Sequence, residues 1–493
     1  MRPAWTRSRL QALIREGLGE RPLIVVSNRE PWVHRRRNGG ITAERPASGL
    51  VTALEPFAEA SGGTWIAHGS GDADRRSVDA NDSVAVPPGE PRYRLRRLWL
   101  SDAEHNGYYT NLANRGLWPL CHVAFVPPLF EAAHWQTYRQ VNQRFAEVVL
   151  EEANGGPAVV FLQDFHLALV PQLLRQANPE LTLVQFWHVP WPNLELLRTF
   201  PYAEALMEGL LGNDLIGFQI PAHARNFVEA AAALLPVQLS ADGQQVQSNG
   251  HRTQVAAYPI SIDFQQWTQL AAGEAVAAAM QRWRQRLGPF EPQLLGVGME
   301  RLDYTKGLPQ RLRAVERLLQ RQPQLQGRFR FVQVLANSRS QISEYRALHQ
   351  ELEALVARIN GRWGTGDWQP LELRIEEIDL IELIALQRLG AFCVVSSLHD
   401  GMNLVAKEFV AARCDGDGVL ILSRFAGSAL ELADALQVHP YNVEELAAAM
   451  AQALAMPEAE RRRRMGSLRR QVEEHNVYRW GGRILTDILH LQP

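Results

Sequence analysis

Residues 391–409 read AFCVVSSLHDGMNLVAKEF, and this stretch decides the fold of the part of the chain around it. The apolar run at 391–397 is typical of a buried strand, and the residues from Leu404 onward have the pattern of a helix. Asn403 stands at the start of that helix, where its side-chain oxygen can accept a backbone N–H of the first turn. The stretch therefore predicts a strand, a polar loop that carries Asp400, and a capped helix.

The loop at Asp400 has a predictable position in such a fold. In open α/β sheets, ligands bind at the carboxyl ends of the parallel strands. The N-terminus of a helix also attracts anions, because its first N–H groups lack partners within the helix and carry positive potential. We therefore expect a phosphate group to bind near Asp400.

Elsewhere, short β-rich runs alternate with longer helical patterns, which predicts parallel α/β sheets. A boundary near residue 258 gives two Rossmann-like, doubly wound lobes, 1–258 and 259–493, that face a central cleft. Helices are expected at 443–456 and from 458 to the C-terminus, and the last helix is a candidate to pack back on the first lobe. The further expected strands are 23–27, 158–162, 181–187, 294–299, 329–335, 371–378 and 418–422.

Three segments show neither the helical nor the strand period of apolar residues, and we expect them to be irregular. The basic segment 34–40 is expected to be a solvated loop, and 238–253 is polar throughout. Residues 71–100 are polar and contain several prolines, which favours irregular structure or a hairpin at a sheet edge. The triplet Asp72-Ala73-Asp74 resembles a metal-binding Asp-x-Asp, but such triplets are common by chance, and we do not assign it a metal.

The composition excludes several classes of function. The 493 residues contain 51 Lys+Arg and 53 Asp+Glu, so the net charge of −2 predicts no general attraction to nucleic acid or to an anionic membrane. Cys121, Cys393 and Cys414 are far apart and form no CxxC pair, which argues against a disulfide framework or a zinc site. No apolar run approaches membrane-spanning length and no secretory leader is recognisable, so we expect a cytoplasmic protein.

Polar side chains follow two successive strands of the first lobe. Asp164 and His166 come directly after the strand at 158–162, and His188 follows the strand at 181–187. Because parallel strands end at the same sheet edge, we expect these three side chains to lie together as a site.

Cations and small residues mark further candidate positions. Arg301 and Lys306 share one strand-to-helix loop, and a guanidinium and an ammonium beside a helix N-terminus are suited to a pyrophosphate. Ser48 and Gly49 open a predicted helix, and such small residues let a phosphate approach the backbone. The aromatic cluster at 107–122 is suited either to a sugar site or to the core.

Taken together, these motifs resemble the trehalose-6-phosphate synthase family, a family of retaining glycosyltransferases. The resemblance implies two Rossmann-like lobes of the GT-B type. The resemblance runs from about residue 22 to 490. It rests on the motifs Ser27-Asn28-Arg29, Tyr108-Tyr109 through Leu117-Trp118-Pro119, Gln163-Asp164-Phe165-His166, His188-Val189-Pro190-Trp191-Pro192, residues 300–307 and residues 400–408.

The resemblance implies a donor site for a nucleoside-diphosphate glucose. Arg301 and Lys306 would hold the diphosphate, Asp400 would orient the glucose, and Glu408 would bind the ribose. Backbone N–H groups of the first helical turn would also contact the diphosphate. The donor residues that complete the set are Ser48, Gly49, Gly401, Met402, Asn403, Leu404 and Val405.

The resemblance also implies an acceptor site and a mechanism. His188 would lie over the glucose and Asp164 beside the acceptor hydroxyl, and with Arg301, Lys306 and Asp400 they form the expected catalytic set. The leaving phosphate would act as the base, so no protein nucleophile, metal or cofactor is expected. The acceptor would be glucose 6-phosphate, and the residues that bind it would be Arg29, Tyr109, Trp118, Asp164 and Arg339.

Two departures leave alternatives open. Ser48 stands where the family commonly has the first residue of a Gly-Gly pair, and His399 replaces a common Arg. These changes leave UDP-, GDP- and ADP-glucose as possible donors. The segment Ser27–Trp32 also resembles glucosylglycerol-phosphate synthases, so glycerol 3-phosphate is the alternative acceptor. A non-catalytic sugar-phosphate sensor is disfavoured because the donor residues are present. A homo-oligomer and a separate downstream phosphatase are further expectations.

Overall fold

The computed structural model describes residues 4–37, 39–46, 49–288, 291 and 294–491. Within them the chain forms two compact units. The first unit contains the residues up to Ile260 and those from Val477 onward, and the second unit is Ser261–Asn476. The division at Ile260 lies close to the boundary predicted near residue 258.

The first unit is an α/β structure. Its strands are β1 (Leu23–Arg29), β2 (Val33–Arg37), β3 (Gly40–Glu44), β4 (Thr64–His68), β5 (Ser83–Val86), β6 (Tyr93–Leu98), β7 (Val159–Gln163), β8 (Thr182–Trp187), β9 (Leu215–Phe218), β10 (Gln238–Leu239), β11 (Gln245–Ser248) and β12 (His251–Ala257). Its helices up to Leu234 are α1 (Arg7–Leu18), α2 (Gly49–Ser61), α3 (Asp102–His105), α4 (Trp118–Cys121), α5 (Ala132–Ala153), α6 (Val170–Ala177), α7 (Leu194–Leu197), α8 (Ala203–Leu210) and α9 (Pro221–Leu234). A π-helix spans Asn106–Leu117, and a 3-10 turn spans Phe165–Leu167.

Among the described residues, one ten-stranded sheet runs in the order β10-β11-β12-β9-β8-β7-β1-β4-β6-β5. Its centre is parallel from β12 to β6, and the antiparallel strands β5, β11 and β10 lie at its two ends. The carboxyl ends of β1, β7 and β8 therefore share one edge of the parallel part, where the predicted polar residues lie.

Two predictions of irregular structure were wrong. The basic segment at 34–40 lies largely in the antiparallel hairpin β2–β3, which pairs Val33 with Glu44. The polar segment at 238–253 contains β10 and β11 and begins β12. Polar edge strands show no alternation of apolar and polar residues, so the sequence does not reveal them. Cross-strand hydrogen bonds hold them in place. The hairpin predicted within residues 71–100 is confirmed as β5–β6 at one sheet edge.

The second unit contains a six-stranded sheet in the described residues, ordered β15-β14-β13-β16-β17-β18 and parallel throughout. The strands are β13 (Leu295–Arg301), β14 (Arg330–Ala336), β15 (Leu371–Ile375), β16 (Phe392–Val395), β17 (Val419–Ser423) and β18 (Leu436–Val438). The helices are α10 (Phe264–Ala272), α11 (Glu274–Leu287), α12 (Leu308–Arg321), α13 (Ser343–Trp363), α14 (Leu380–Leu389), α15 (Leu404–Ala412), α16 (Val443–Ala455) and α17 (Glu458–Glu474).

Helices cover both faces of this second sheet, as the alternation along β16 shows. Phe392 and Val394 belong to one buried apolar cluster, whereas Cys393 and Val395 belong to another. A strand that is buried on both faces needs a continuous apolar run, which explains why this strand was readable from the sequence.

The predicted helix from Glu458 to the C-terminus is interrupted. It is α17 followed by α18 (Val477–His490), and α18 packs within the first unit. Tyr258 donates its hydroxyl to Asp487 Oδ2 at 2.6 Å, and the ring of Trp480 lies 5.2 Å from that of Phe186. In the described part of the chain, no helix has the length and apolar character needed to cross a membrane.

Candidate active site

The strand, loop and helix predicted at 391–409 are confirmed. Strand β16 ends at Val395, and α15 begins at Leu404. The side-chain oxygen of Asn403 accepts a hydrogen bond from Ala406 N at 3.3 Å, as expected of an N-cap. Asn403 has φ 73°, a conformation that Asn tolerates better than most residues. The cap orients the first turn of α15 toward the loop of Asp400.

Asp400 is held by three side chains. Its Oδ2 atom accepts hydrogen bonds from Lys306 Nζ at 2.5 Å, Ser397 Oγ at 3.0 Å and Asn403 Nδ2 at 3.2 Å. The backbone of Asp400 pairs with the segment after β17, through Asp400 N to Phe425 O at 3.0 Å. Carboxylate and loop are thus fixed together in one orientation.

A second loop delivers Lys306 to this carboxylate. Residues Tyr304–Lys306 form a 3-10 turn between β13 and α12. Leu398 N donates to Thr305 O at 2.7 Å, and Ser396 Oγ donates to Lys306 O at 3.1 Å. These bonds join the two loops, so the Lys306 ammonium lies beside Asp400 with only 10% of its side chain exposed.

Asp303 organises the cations around this loop. Its Oδ1 atom accepts from Thr305 N at 3.0 Å, and its Oδ2 atom accepts from Tyr345 OH at 3.2 Å and Arg339 Nη1 at 3.4 Å. Burial raises the pKa of the Asp303 carboxyl, but attraction to Arg339, Arg301 and Lys306 outweighs it and keeps the pKa below its usual range. Asp303 therefore stays ionised and concentrates three cations on one side of the second unit.

Glu408 lies on α15, one turn after Leu404. Burial raises the pKa of its carboxyl to about 7. Its position beside the start of the helix is consistent with the predicted contact to a ribose. Gly401 and Met402, two of the predicted donor residues, are buried, and Met402 O accepts from Ser428 N at 2.9 Å.

A buried arginine beneath the loops of Lys306 and Asp400 was not predicted. Arg311 is fully buried and donates to Glu300 Oε1 at 2.9 Å, to Gln333 Oε1 at 2.9 Å and to Ser396 Oγ at 3.0 Å. It ties α12 to β13, to the middle of β14 and to the residue after β16, and so it supports the loop of Lys306. The sequence shows it only as one of several arginines on an amphipathic helix.

The expected meeting of Asp164 and His188 in the first unit is confirmed. Asp164 follows β7, and its Oδ1 atom accepts from His188 N, just after β8, at 3.2 Å. His188 Nε2 lies 2.9 Å from Gln163 Oε1, so this nitrogen carries a proton and donates it. Burial lowers the pKa of the His188 imidazole to about 3. His188 is therefore a neutral, fixed ring at the carboxyl edge of the sheet.

Tyr109 and Trp118 lie on the same side of the first unit as His166. The ring of Tyr109 stacks on that of His166, with centroids 5.6 Å apart and planes within 15°. The Trp118 ring is 6.1 Å from that of Phe165, which precedes His166. Tyr109 belongs to the π-helix, a geometry often found at functional sites. The aromatic cluster thus borders the loop that carries Asp164.

Arg29 ends β1 and is exposed, whereas the next residue, Glu30, belongs to a buried cluster of charged side chains. Glu30 Oε2 accepts from Arg97 Nε at 2.9 Å, and Arg97 Nη2 lies 2.9 Å from Asp74 Oδ1 and 2.8 Å from His34 Nδ1. Burial and the nearby Asp74 raise the pKa of Glu30 to about 7. No local pattern in the sequence indicates this Glu30 cluster, which comprises Glu30, His34, Asp74 and Arg97 and gives Asp74 a structural role.

Other predicted residues divide between the two units. Arg29, Tyr109, Trp118, Asp164 and His188 lie in the first unit, and the second unit carries Arg339 with the predicted donor residues from Arg301 to Glu408. Gly49 begins α2, whereas Ser48 falls outside the described residues. Within the described ranges, no group of three His, Cys, Asp or Glu side chains is arranged to hold a metal ion.

Comparisons with known proteins agree with this arrangement. A trehalose-6-phosphate synthase from Mycolicibacterium vanbaalenii is 37% identical over 488 residues, which cover 96% of this chain and 97% of the relative. The UDP-forming alpha,alpha-trehalose-phosphate synthase from Burkholderia xenovorans, solved in complex with glucose-6-phosphate, has a TM-score of 0.84 at 29% identity, covering 95% of this chain and 99% of that one. An E. coli structure bound with UDP-2-fluoro glucose has a TM-score of 0.85 at 30% identity, covering 96% and 100%.

The predicted fold class, α/β with two Rossmann-like units of the GT-B type, is confirmed by these structures. The family model of Glycosyltransferase family 20 matches residues 21–490, which is almost the whole length of the chain. With relatives above 30% identity over nearly all of their length, the chain belongs to glycosyltransferase family 20.

Proposed function

We propose that the chain transfers glucose, with retention of configuration, from a nucleoside-diphosphate glucose to glucose 6-phosphate, giving trehalose 6-phosphate. The observation that carries this proposal is the pairing of Lys306 with Asp400 beside the capped start of α15. A cation, a carboxylate and a helix N-terminus are the three groups that a sugar diphosphate needs at one place.

The donor diphosphate binds to the cations of the second unit. Arg301 and Lys306 contact its oxygens, and the N–H groups of Leu404 and Val405 at the start of α15 add hydrogen bonds. Asp400 accepts from the glucose hydroxyls, since its carboxylate is already fixed by Ser397 and Asn403. Glu408 contacts the ribose, and Ser48, Gly49 and residues 401–403 complete the donor site.

The acceptor binds to Arg29, Tyr109, Trp118 and Asp164 of the first unit and to Arg339 of the second. Two guanidinium groups are suited to a phosphate, because each offers a rigid pair of donors. The stacked ring of Tyr109 and the Trp118 ring are suited to the apolar face of a sugar. The ion pair of Arg339 with Asp303 keeps this guanidinium in place before the phosphate arrives.

The chemistry is a displacement in which the acceptor attacks from the side that the leaving group departs. The bond from the glucose C1 to the diphosphate oxygen breaks, and a bond from C1 to the acceptor hydroxyl oxygen forms. The proton of that hydroxyl passes to the leaving phosphate. Arg301 and Lys306 stabilise the charge that develops on the diphosphate, which is the usual role of preorganised cations at a leaving group.

His188 contributes as a neutral hydrogen-bonding group. With its pKa lowered to about 3 by burial, the imidazole is not protonated near neutral pH and does not serve as a general acid. Its backbone N–H is held by Asp164 and its ring by Gln163. These contacts fix the ring where it meets the glucose.

Further properties follow as part of the same proposal. The reaction needs no metal or cofactor, because two side-chain cations neutralise the diphosphate. The enzyme works in the cytoplasm as a homo-oligomer, and a separate phosphatase acts on its product. The unpaired cysteines Cys121, Cys393 and Cys414 are consistent with a reducing compartment.

The proposal is tested by incubating the purified protein with UDP-, GDP- or ADP-glucose and with either glucose 6-phosphate or glycerol 3-phosphate. Products are identified by mass spectrometry, with and without EDTA. We expect glucose 6-phosphate to give a disaccharide phosphate, and we expect this activity to remain when EDTA is present. Product from glycerol 3-phosphate alone would select the alternative acceptor, and no product from any pair would refute the enzymatic role.

A further inference from the structure

Four aromatic rings form a continuous row in the first unit. The ring centroid of His68 lies 5.6 Å from that of His105, and the ring of His105 stacks on Tyr109 at 4.9 Å with planes 30° apart. Tyr109 in turn stacks on His166. Tyr109 is assigned to the acceptor in the proposed function, whereas His68 and His105 lie outside the proposed catalytic and binding sets. The row therefore extends from the proposed acceptor site to His68.

His68 is also a neighbour of Arg29, which is proposed to bind the acceptor phosphate. Strand β4 ends at His68 and β1 ends at Arg29, and these two residues are partners in the parallel pairing of the strands. Neighbouring strands of a sheet lie about 4.8 Å apart. His68 thus lies beside Arg29 at the carboxyl edge, and the ring of His105 links it to Tyr109.

Hydrogen bonds join the loops that follow these two strands. Ser70, two residues after His68, donates its backbone N–H to Glu30 Oε1 at 2.8 Å and its hydroxyl to the same oxygen at 2.9 Å. Glu30 follows Arg29 directly and is held by the buried Arg97. The Glu30 cluster therefore fixes the backbones of Arg29 and His68 side by side.

A short, anchored helix holds His105 against His68. Helix α3 begins with a capping box, in which the side chains of Ser101 and Glu104 bond each other's backbone N–H groups. Arg144 of α5 donates to Glu104 Oε1 at 2.6 Å and so fastens this helix to α5. His105 is the last residue of α3, and its ring packs against the ring of His68.

The hydrogen bond of His68 determines which ring nitrogen carries the proton. Its Nδ1 atom lies 3.2 Å from Leu98 O, and a carbonyl oxygen can only accept, so Nδ1 carries the proton and donates it. Burial lowers the pKa of the His68 imidazole, so the ring is neutral near pH 7. Nε2 therefore keeps a lone pair, and the described residues give this atom no hydrogen-bond partner. Because His68 is partly exposed, a ligand can reach it.

We propose that His68 is a further acceptor-binding residue, and that its Nε2 atom accepts a hydrogen bond from the 4-hydroxyl of glucose 6-phosphate. The inference rests on the proposed function, because Arg29 and Tyr109 locate the acceptor at this edge. A neutral imidazole nitrogen needs a donor, which a hydroxyl provides and an ionised phosphate oxygen does not. The 4-hydroxyl is the ring hydroxyl closest to the phosphate along the carbon skeleton, and His68 lies beside the arginine assigned to that phosphate.

This contact makes His68 a determinant of acceptor choice. A site that bonds a substrate hydroxyl disfavours the analogue that lacks it, because the partner atom is left unpaired. His68 therefore favours glucose 6-phosphate over its 4-deoxy analogue and is indifferent to the loss of the 2-hydroxyl.

The test measures binding by isothermal titration calorimetry with saturating UDP, which fills the proposed donor site without reaction. The ligands are glucose 6-phosphate and its 4-deoxy and 2-deoxy analogues. The variant is His68→Phe, which keeps an aromatic ring in the row and removes both nitrogens. We expect wild type to bind the 4-deoxy analogue about five- to tenfold more weakly than glucose 6-phosphate, the usual effect of one neutral hydrogen bond. In His68→Phe this difference should fall to about twofold or less, with the 2-deoxy ratio unchanged.

His251→Phe is the matched control. His251 is another partly exposed histidine of the first unit, and its Nε2 atom lies 2.9 Å from the backbone oxygen of Asn213. It begins β12, so it lies at the amino edge of the parallel strands, opposite to His68. We expect this variant to bind all three ligands as wild type does. A far-UV circular dichroism melt shows whether each variant is folded.

Turnover of UDP-glucose with glucose 6-phosphate is followed in parallel, so that two failures can be told apart. An equal loss of affinity for the 4-deoxy analogue in wild type and His68→Phe would overturn the His68 contact, and product formation in that case would leave the proposed transfer intact. Binding with the expected differences but without product would refute the transfer and support the contact. If wild type does not bind glucose 6-phosphate, both are refuted.

Discussion

The ammonium nitrogen of Lys306 lies 2.5 Å from Oδ2 of Asp400, although 94 positions separate the two residues in the sequence. Both side chains are largely buried, with 10% and 12% exposed. A buried charge needs a partner of opposite charge, and here the ammonium and the carboxylate are partners for each other. The pair thus allows the cation proposed to bind the diphosphate and the carboxylate proposed to bind the sugar to lie together at the end of β16.

Replacing Lys306 tests the role of this cation. We expect Lys306→Ala to lower kcat by about 10²–10³-fold, as for the loss of one preorganised donor to a developing charge. Arg313→Ala is the control, because Arg313 is an exposed cation of α12 that pairs with Glu351. Steady-state rates with saturating donor give the comparison. Equal rates for Lys306→Ala and the control would refute the role of Lys306.

Gly307 tests the geometry that delivers Lys306. Its φ is 63°, and an added Cβ would lie 2.3 Å from Ser396 O, so Gly307→Ala strains the backbone and forces the two loops apart. We expect a loss of at least about 1–3 kcal/mol in the free energy of unfolding, measured in urea.

Gly361→Ala is the matched substitution for Gly307→Ala. Gly361 lies in α13 of the same unit, and no heavy atom is within 4 Å of its added Cβ. Alanine is the better helix former, so we expect no loss and up to about 1 kcal/mol of gain. If the two variants unfold at the same urea concentration, Gly307 does not pack closely against Ser396.

The lowered pKa of His188 predicts a pH-dependent contribution to stability. The folded imidazole stays neutral down to about pH 3, whereas an unfolded histidine takes up a proton near pH 6.5. Between these values the unfolded state binds more protons, so stability falls as the pH falls. The contribution is about 1.4 kcal/mol per pH unit.

The measurement compares wild type with His188→Gln, which keeps a polar side chain but does not titrate. Urea unfolding at pH 7 and pH 5 gives the change for each protein. We expect wild type to lose about 2 kcal/mol more than the variant over the 1.5 units below pH 6.5. An equal loss in both proteins would show that His188 titrates normally in the folded state.

The Glu30 cluster gives a prediction for the first unit. Arg97 is fully buried and pairs with both Glu30 and Asp74, so Arg97→Leu leaves two buried carboxyl groups without their cation. We expect a loss of about 3–5 kcal/mol in the free energy of unfolding. Arg139→Leu is the control, because Arg139 is an exposed cation of α5. Similar unfolding midpoints for both variants would contradict the structural role.

The sequence was sufficient where local signals agree with the fold. The apolar run before Asp400 has no alternation because both faces of β16 are covered, and Asn403 is a recognisable cap. The order of the strands then brings Asp164 to His188, and Lys306 to Asp400. Each of these contacts follows because the parallel strands of a sheet end at the same edge.

The sequence was insufficient where long-range contacts decide the structure. The basic run Arg35–Arg37 reads as a loop, yet Arg37 pairs with Glu44 across the β2–β3 hairpin. The Glu30 cluster depends on Arg97, which is 67 positions from Glu30. No local pattern indicates which of the chain's arginines is buried, because that depends on the tertiary packing.

The central claim is a retaining transfer of glucose to glucose 6-phosphate. The most direct test is an NMR spectrum of the product made by wild-type protein from UDP-glucose and glucose 6-phosphate. We predict small anomeric coupling constants for both sugars, as in an α,α-1,1 linkage that keeps the donor's configuration. A β-linked product, or unchanged substrates after prolonged incubation with folded protein, would contradict the account.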